Sequence, residues 1–480
     1  MKPLASVIIP ALNEEKNIRR CLSAVFSQQA DFEFEAMLVD SGSTDRTREI
    51  AREFEKSNQL RVLEIAAKDF NHGRTRQYAS EQAEGDFLVY LVADAEPANK
   101  EWLSRLVAAC KRDERIAGAY SRQIVRPGAS IIEKIRLLKR IAGRDEARLT
   151  ELASPDDYWM LDPLSRILLC DFDDVSSVRK RSVLTKIPIP ESAWAEDLVW
   201  SRECLMAGLK IAYEPDSAVY HSHALSARYL FKRGWIDQKA ASEYFGQVYY
   251  PDFGSALSGF FIQLNNEVKE IMAEKEPASV RLAEILKDPV LLAYEIAGRY
   301  LARVQDALGP HYDLSEELAD AEINPPDASG RVARSAFAIG NCFRKVILAN
   351  PPANIEAELL VSEDAELKFG IGFKPEAFKH RKAPIDFKIL IDREEVFKAR
   401  LEMSRENLKA WKDFSIDLAR WRGKNIRIGL VTESGDTDHG WAAWAEPGIF
   451  YKNHRTRSDL GELLARRASA VVGSGNFRHN

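Results

Sequence analysis

The sequence predicts an α/β domain on a mostly parallel sheet, then a helical segment, then an all-β sandwich. Three observations carry that expectation. Continuous apolar runs alternate with amphipathic helical stretches through residues 1–225, the pattern of a sheet covered on both faces. Apolar residues at three- and four-residue spacing fill 226–342. Beyond Phe343 the period falls to two, up to about 455, and 456–480 reads as a helix and tail.

"ASVIIP" is the first buried strand, followed by Asn13 as an expected N-cap with Glu14 and Glu15 in the first helical turn. "FEAMLVD" and "RVLEIA" are the second and third strands. A helix through "TRQYASEQAE" is expected to close at Gly85 before the strand "DFLVYLVAD". Long helical periodicity then runs through "VRLAEILKDPVLLAYEIAGRYLARVQDAL". The sandwich strands show as Leu367, Phe369, Ile371, Phe373, as Ile385, Phe387, Ile389, Ile391, and as Ile426, Ile428, Leu430.

The 480 residues, 45% hydrophobic and 29% charged with a net charge of −5, describe an ordinary globular chain with no electrostatic footprint for nucleic acid. Five scattered cysteines without a CxxC pair fit buried thiols in a reducing compartment. No apolar run approaches the ~18 residues of a membrane span. The expectation is a cytoplasmic protein, at most peripheral on the inner face of a membrane. The basic, aromatic-rich stretch "YLFKRGWIDQKAASEYFG" suits either that surface or packing on the first domain.

Ligands of parallel sheets bind beyond the carboxyl ends of the strands, so the polar residues there matter most: Asn13, Asp40 and Asp94. "VDSGSTDRT" sets Asp40 before a new helix expected from about Thr44. That suits a base or ribose, and equally a turn rich in capping residues. Asp94 and Glu96 offer hard oxygen ligands for Mg²⁺ or Mn²⁺ against a diphosphate, and equally a turn cap before Pro97. "AEDLVW" opens a helix with the pair Glu196-Asp197. Compensation of the helix dipole by such a pair contributes only about 0.3–1 kcal/mol.

Taken in order, "SVIIPALNEEKNIRRCLSAVFSQ" and "VDSGSTDRT" resemble glycosyltransferase family 2. "FNHGRTRQYASEQAEGDFLVYLVADAEP", "AYSRQ" (Ala119 to Gln123), "DVSSVRKRSVLTKIPIPE" and "AEDLVWSRECLMAGLKIAYEPDSAVYHSH" are similar to its rhamnosyltransferase-like branch. The likeness spans Ala5 to Ser226 and implies a GT-A fold. It further implies that Pro10, Asn13, Glu14 and Ser43 line the nucleotide-sugar pocket, with Asp40 on the base. Arg76 would approach the diphosphate, Asp94 and His221 would hold the metal, and Asp197, paired with Glu196, would be the general base. His223 is the weaker ligand candidate. Where much of the family has Asp-x-Asp, the first position here is Val92, which removes one charged metal ligand.

The function this implies is an inverting, metal-assisted transfer of a sugar, dTDP-rhamnose favoured, to a glycan or lipid-linked glycan in surface polysaccharide synthesis. A UDP-hexose or UDP-amino-sugar donor is the alternative among enzymes, and a non-catalytic glycan-binding scaffold the alternative outside them. The sandwich resembles galactose-binding-like domains and is expected to position a glycan or build a homo-oligomer. Trp441 and Trp444 are read first as core and second as sugar-stacking rings, and Asp436, Asp438 and His439 first as a polar turn and second as a metal loop.

Overall fold

The computed structural model describes residues 2–451 apart from 58–59, 193, 307–311, 316–317, 319–320, 326–330, 362–363, 380–382 and 436–440. The C-terminal helix expected at 456–480, and Asp436, Asp438 and His439, therefore lie outside the described residues.

The first domain runs β1 (Ala5–Ala11), α1 (Ile18–Phe26), β2 (Phe34–Asp40), α2 (Thr47–Ser57), β3 (Leu60–Glu64), α3 (His72–Gln82), β4 (Phe87–Leu91), β5 (Glu96–Pro97) and α4 (Trp102–Lys111). It continues through β6 (Ile116–Ile124), α5 (Ile131–Leu138), β7 (Arg148–Thr150), α6 (Pro155–Trp159), α7 (Pro163–Leu169), β8 (Ser176–Lys180), α8 (Arg181–Leu184), α9 (Glu196–Met206) and β9 (Lys210–Tyr220). The sheet order is β3-β2-β1-β4-β8-β6-β9-β5, with β7 against β9. Strands β3, β2, β1 and β4 are parallel, whereas β8 runs antiparallel to both β4 and β6. The expected α/β sheet is therefore present, its β3-β2-β1-β4 part parallel and β8 inserted antiparallel between β4 and β6. Chain order reverses at β1, between β2 and β4. Such a switch point opens a crevice at the carboxyl ends of the strands.

Three local expectations need correction. Helix α1 starts at Ile18 behind Asn17, with no acid in its first turn; Asn13 instead takes a left-handed φ of 57°. Asparagine suits that conformation as well as it suits a cap. Helix α2 starts at Thr47 rather than near Thr44. Helix α3 ends on Ala83, and Gly85 lies where a Cβ would come 2.6 Å from the backbone of Ala5 and Ser6.

Three helices follow: α10 (Ala227–Phe245), α11 (Phe253–Ala273) and α12 (Ala278–Asp306). Helices α10 and α12 cross at Gly234 and Gly298, where added Cβ atoms would fall 2.3 and 2.2 Å from the carbonyl oxygens of Glu295 and Phe231. Leu230, Trp235 and Ile236 of α10 are buried. The apolar face of α10 is therefore used in packing and is not presented to a membrane. Exposed apolar residues fall instead on α11 and α12, among them Phe253, Leu257, Phe261, Leu286 and Val290. No helix among the described residues is long and apolar enough to cross a membrane.

The sandwich begins earlier than Phe343. Strands β10 (Tyr312–Asp313), β11 (Glu322–Asn324) and β12 (Val332–Ile339) already belong to it. They precede β13 (Cys342–Ala349), β14 (Ala353–Val361), β15 (Ala365–Phe373), β16 (Ile385–Ile391), β17 (Glu394–Leu401), β18 (Lys412–Asp417), β19 (Lys424–Glu433) and β20 (Ala442–Tyr451). Two antiparallel sheets, β12-β13-β20-β15-β18 and β11-β14-β19-β16-β17, face each other. The period-two residues named above are all buried between them. Trp444 is fully buried, its ring centroid 5.5 Å from Phe369 and 5.1 Å from Phe387, so it is core and cannot stack on a sugar. Trp441 is partly buried against the same cluster.

The sandwich rests on the first domain. Buried Arg166 of α7 donates to the carbonyl oxygens of Tyr158 and Trp159 and, across the joint, to that of Gly340 between β12 and β13. Arg405 pairs with Asp156 at 2.6 Å nearby.

Candidate active site

The ends of β1 and β2 are stitched into one wall. Asn13 N–H donates to Ser43 Oγ at 2.9 Å, and Thr44 N–H donates to Asn13 Oδ1 at 2.8 Å. Glu14 N–H donates to Thr47 Oγ1 at 2.7 Å. Asp40 Oδ1 accepts from the N–H groups of Gly42 and Ser43, at 3.1 and 2.9 Å, around a turn that needs φ +88° at Gly42. Asp40 is fully buried, yet its Oδ2 has no hydrogen-bond partner. A buried acceptor left open in this way is costly to the fold and suits a ring N–H of a base. Pro10, at the end of β1, is partly buried in the same wall. Burial raises the pKa of half-buried Glu14 against a hydrogen bond from Asn17 that lowers it, and the charge of Asp94 adds to the rise.

Asp94 stands just beyond β4, and His221 and His223 just beyond β9. One ligand atom from each lies within 4.8 Å of the others. His221 Nε2 is 3.7 Å and His223 Nδ1 3.6 Å from Asp94 Oδ2, and the two rings stand edge to face at 4.6 Å. His223, the weaker candidate in the sequence, is therefore placed as closely as His221. One carboxylate and two imidazoles fit a divalent ion such as Mn²⁺, which accepts both oxygen and imidazole ligands. Val92 packs against the main core.

Helix α9 opens at Glu196 behind Ala195, whose left-handed φ of 59° turns the chain sharply into it. Below lies a buried ionic floor. Arg179 donates both terminal nitrogens to Asp174, at 2.8 and 3.0 Å, and stacks on Tyr90, Phe172 and Trp200. Arg76 meets Glu196 at 2.6 Å and Asp174 at 3.4 Å. Burial opposes the charge of Asp174, but Arg179 and Arg76 outweigh it and hold the carboxyl below its ordinary pKa. Asp197 is half-buried and, among the described residues, accepts from the N–H groups of Leu198 and, at 3.4 Å, Asp174. Desolvation, then the charges of Glu196, Asp174 and Asp173, push its pKa well above the usual carboxylate range. A carboxylate of raised pKa is, once ionised, a stronger proton acceptor than an ordinary one.

Two expectations change. Arg76 is not offered to a diphosphate: its side chain is 7% exposed and committed to Asp174 and Glu196. Glu196 is likewise held by Arg76, which leaves Asp197 as the free member of the pair. A further guanidinium near this carboxylate cluster is that of exposed Arg233 of α10. Asp237 is its main partner, and Asp173 and Asp197 are within its electrostatic reach. Asp173, Asp174, Arg179 and Arg233 were not singled out in the sequence as site residues. Asp174 and Arg179 lie inside "DVSSVRKRSVLTKIPIPE", and two charges buried in a strand-like run were the available signal.

The strand-end edge of this α/β domain thus gathers a buried carboxylate, an Asp-His-His cluster and an acid of raised pKa. Residues 6–156 match the family model described as glycosyl transferase family 2. The chain is 42% identical to the glycosyltransferase AglE of Haloferax volcanii over 109 residues, 22% of this chain and 35% of that one. The match thus spans about a third of that relative. It is 29% identical to the O-antigen chain rhamnosyltransferase WbaN of Salmonella anatum over 48% of this chain and 70% of that one. Among solved structures, the mannosyltransferase PcManGT of Pyrobaculum calidifontis, in complex with GDP-Man and Mn²⁺, aligns at 18% identity. Its TM-score is 0.42, over 64% of this chain and 88% of that one.

Proposed function

We propose that the protein is an inverting glycosyltransferase that moves a sugar, dTDP-rhamnose favoured, from its nucleoside diphosphate to a glycan hydroxyl in surface polysaccharide synthesis. The observation that carries this reading is the Asp94–His221–His223 cluster beside the β1–β2 wall, in a domain matching glycosyl transferase family 2. Asp40 Oδ2 would accept from the base, and Pro10, Asn13, Glu14 and Ser43 would shape the nucleoside pocket. Asp94, His221 and His223 would hold Mn²⁺ or Mg²⁺, which when bound offsets the charge developing on the leaving diphosphate. Asp197 would take the proton of the acceptor hydroxyl as it attacks the anomeric carbon, and the single displacement would invert that carbon. Arg233 takes over the cationic part first assigned to Arg76. The 29% identity to an O-antigen rhamnosyltransferase favours rhamnose. A lipid-linked acceptor would bring the exposed apolar face of α11 and α12 to a membrane, and the sandwich would position a growing glycan or build a homo-oligomer.

A thermal-shift panel tests the donor: dTDP, UDP and GDP, each with Mn²⁺ or chelator, followed by release of nucleoside diphosphate from the matching sugar donors. Stabilisation by dTDP with Mn²⁺ is expected, since a ligand of the folded state raises Tm. A larger shift with UDP would favour a UDP-hexose or UDP-amino-sugar donor. No shift with any nucleotide would favour a non-catalytic scaffold.

A further inference from the structure

The motif "AYSRQ" ends on Gln123, a residue of β6 that is 3% exposed and has no part in the scheme above. Its amide bridges two groups. Nε2 donates to Asp173 Oδ2 at 2.5 Å, and Oε1 lies 2.9 Å from His221 Nδ1. Strands β6 and β9 pair in parallel through Gln123–Val219 and Ile124–Tyr220, and His221 N–H donates to the Ile124 carbonyl. The spacing of glutamine and imidazole is thereby set by backbone.

The direction of each bond follows from what the groups can do. Asp173 accepts from Val175 N–H on Oδ1, at 2.9 Å, and from Arg140 on Oδ2, at 3.1 Å. A carboxylate so engaged is an acceptor only. It must face the NH₂ side of Gln123, so the carbonyl side of the amide faces His221. A carbonyl oxygen can only accept, so the proton of the neutral imidazole sits on Nδ1. The lone pair is then left on Nε2, the atom that points at Asp94. Histidine ligands are commonly fixed by a partner on the other ring nitrogen.

We propose that Gln123, oriented by Asp173, is the positioning residue that holds His221 as its Nδ1–H tautomer and aims an unprotonated Nε2 into the Asp94–His223 cluster. The inference rests on the metal-site reading above but concerns the metal-free protein. His223 presents Nδ1, not Nε2, to Asp94. The two imidazoles are thus not interchangeable.

The test uses the full chain labelled with ¹⁵N-histidine, free of metal, and long-range proton–nitrogen correlation, with His221→Gln assigning the signals. The Nδ1–H pattern is expected for His221. In Asp173→Asn, which keeps shape but can donate, Gln123 is freed to flip and the population should move toward Nε2–H. Gln123→Leu should do the same. Both variants should weaken Mn²⁺ binding, measured by calorimetry with Mn²⁺ alone, by roughly 10- to 100-fold. An Nε2–H tautomer in the unmodified protein would overturn the proposal. So would an Asp173→Asn protein with unchanged tautomer and unchanged Mn²⁺ affinity. The Nδ1–H tautomer in a protein that binds no Mn²⁺ would sustain the relay and overturn the metal assignment, so the two failures are distinguishable.

Discussion

The first domain and the sandwich bury very different things. Arg76, Asp173, Asp174, Arg179 and Glu196 are each less than 9% exposed beside the site, and Asp40 is fully buried. Among the described residues of the sandwich the buried polar set is Ser315, Asn407 and Thr432, with no charge in it. Both regions fold around dense apolar cores, so buried charge is not what folding requires. Removing an ion from water costs several kcal/mol even after relaxation. Much of that cost in the first domain falls beside Asp197, the carboxylate of raised pKa, with Arg166, Lys210 and Glu214 buried elsewhere in it.

The largest effect that would sharpen this contrast is on turnover. Asp197→Asn should lower donor consumption by acceptor by about 100- to 10,000-fold while leaving Tm equal or higher, because a neutral amide relieves repulsion from Glu196 and Asp174. Unchanged turnover would remove Asp197 from the chemistry.

Next come two stability measurements of similar size and opposite functional consequence. Asp174→Asn strips Arg179 and Arg76 of a shared partner and should cost about 3–5 kcal/mol, with turnover lost as well. Trp444→Ala should cost about 3–5 kcal/mol through cavity formation, yet leave donor hydrolysis by the folded fraction intact. Denaturant melts paired with activity separate them. Equal losses of activity per folded molecule would erase the distinction between the regions.

The pH dependence should follow Asp197. Its folded pKa is raised, so the base form appears only as pH rises through a value above the ordinary carboxylate range. The acid limb of kcat should be displaced upward accordingly. The sign for stability is opposite: the contribution of this group is fully present below its unfolded pKa and declines as pH rises through the folded one. An acid limb at the ordinary carboxylate value would contradict the assigned environment.

The smallest effect belongs to the sandwich surface. Arg427 pairs with Glu358 at 2.6 Å with both side chains well exposed. Arg427→Ala should change stability by no more than about 1 kcal/mol and activity not at all.

Much of this was legible in the sequence because it is local. β1, β2 and β4 are continuous apolar runs, and the residues just past them, Asn13, Asp40 and Asp94, line the crevice. Helix α9 with its acidic opening and β9 leading to the histidines were equally readable. What was not legible depends on partners far apart in the chain. Arg76 meets Glu196 across 120 residues, and helical spacing alone gives its guanidinium no destination. Asn13 was expected to cap a helix because asparagine suits both caps and left-handed turns. The start of the sandwich is not legible because β10 and β11 are only two and three residues long and β12 is buried only over its last three residues, without alternation.

Arg166 has a consequence of a different kind. Its acceptors are all main-chain carbonyls, one of them on the turn at Gly340. This part of the joint is written in backbone atoms and does not depend on which side chains the sandwich carries, unlike the Arg405–Asp156 pair beside it. That fastening constrains a turn, so the sandwich surface away from the joint can change without disturbing it. Such a chain can acquire a new recognition face by substitution alone, without renegotiating how its two halves meet.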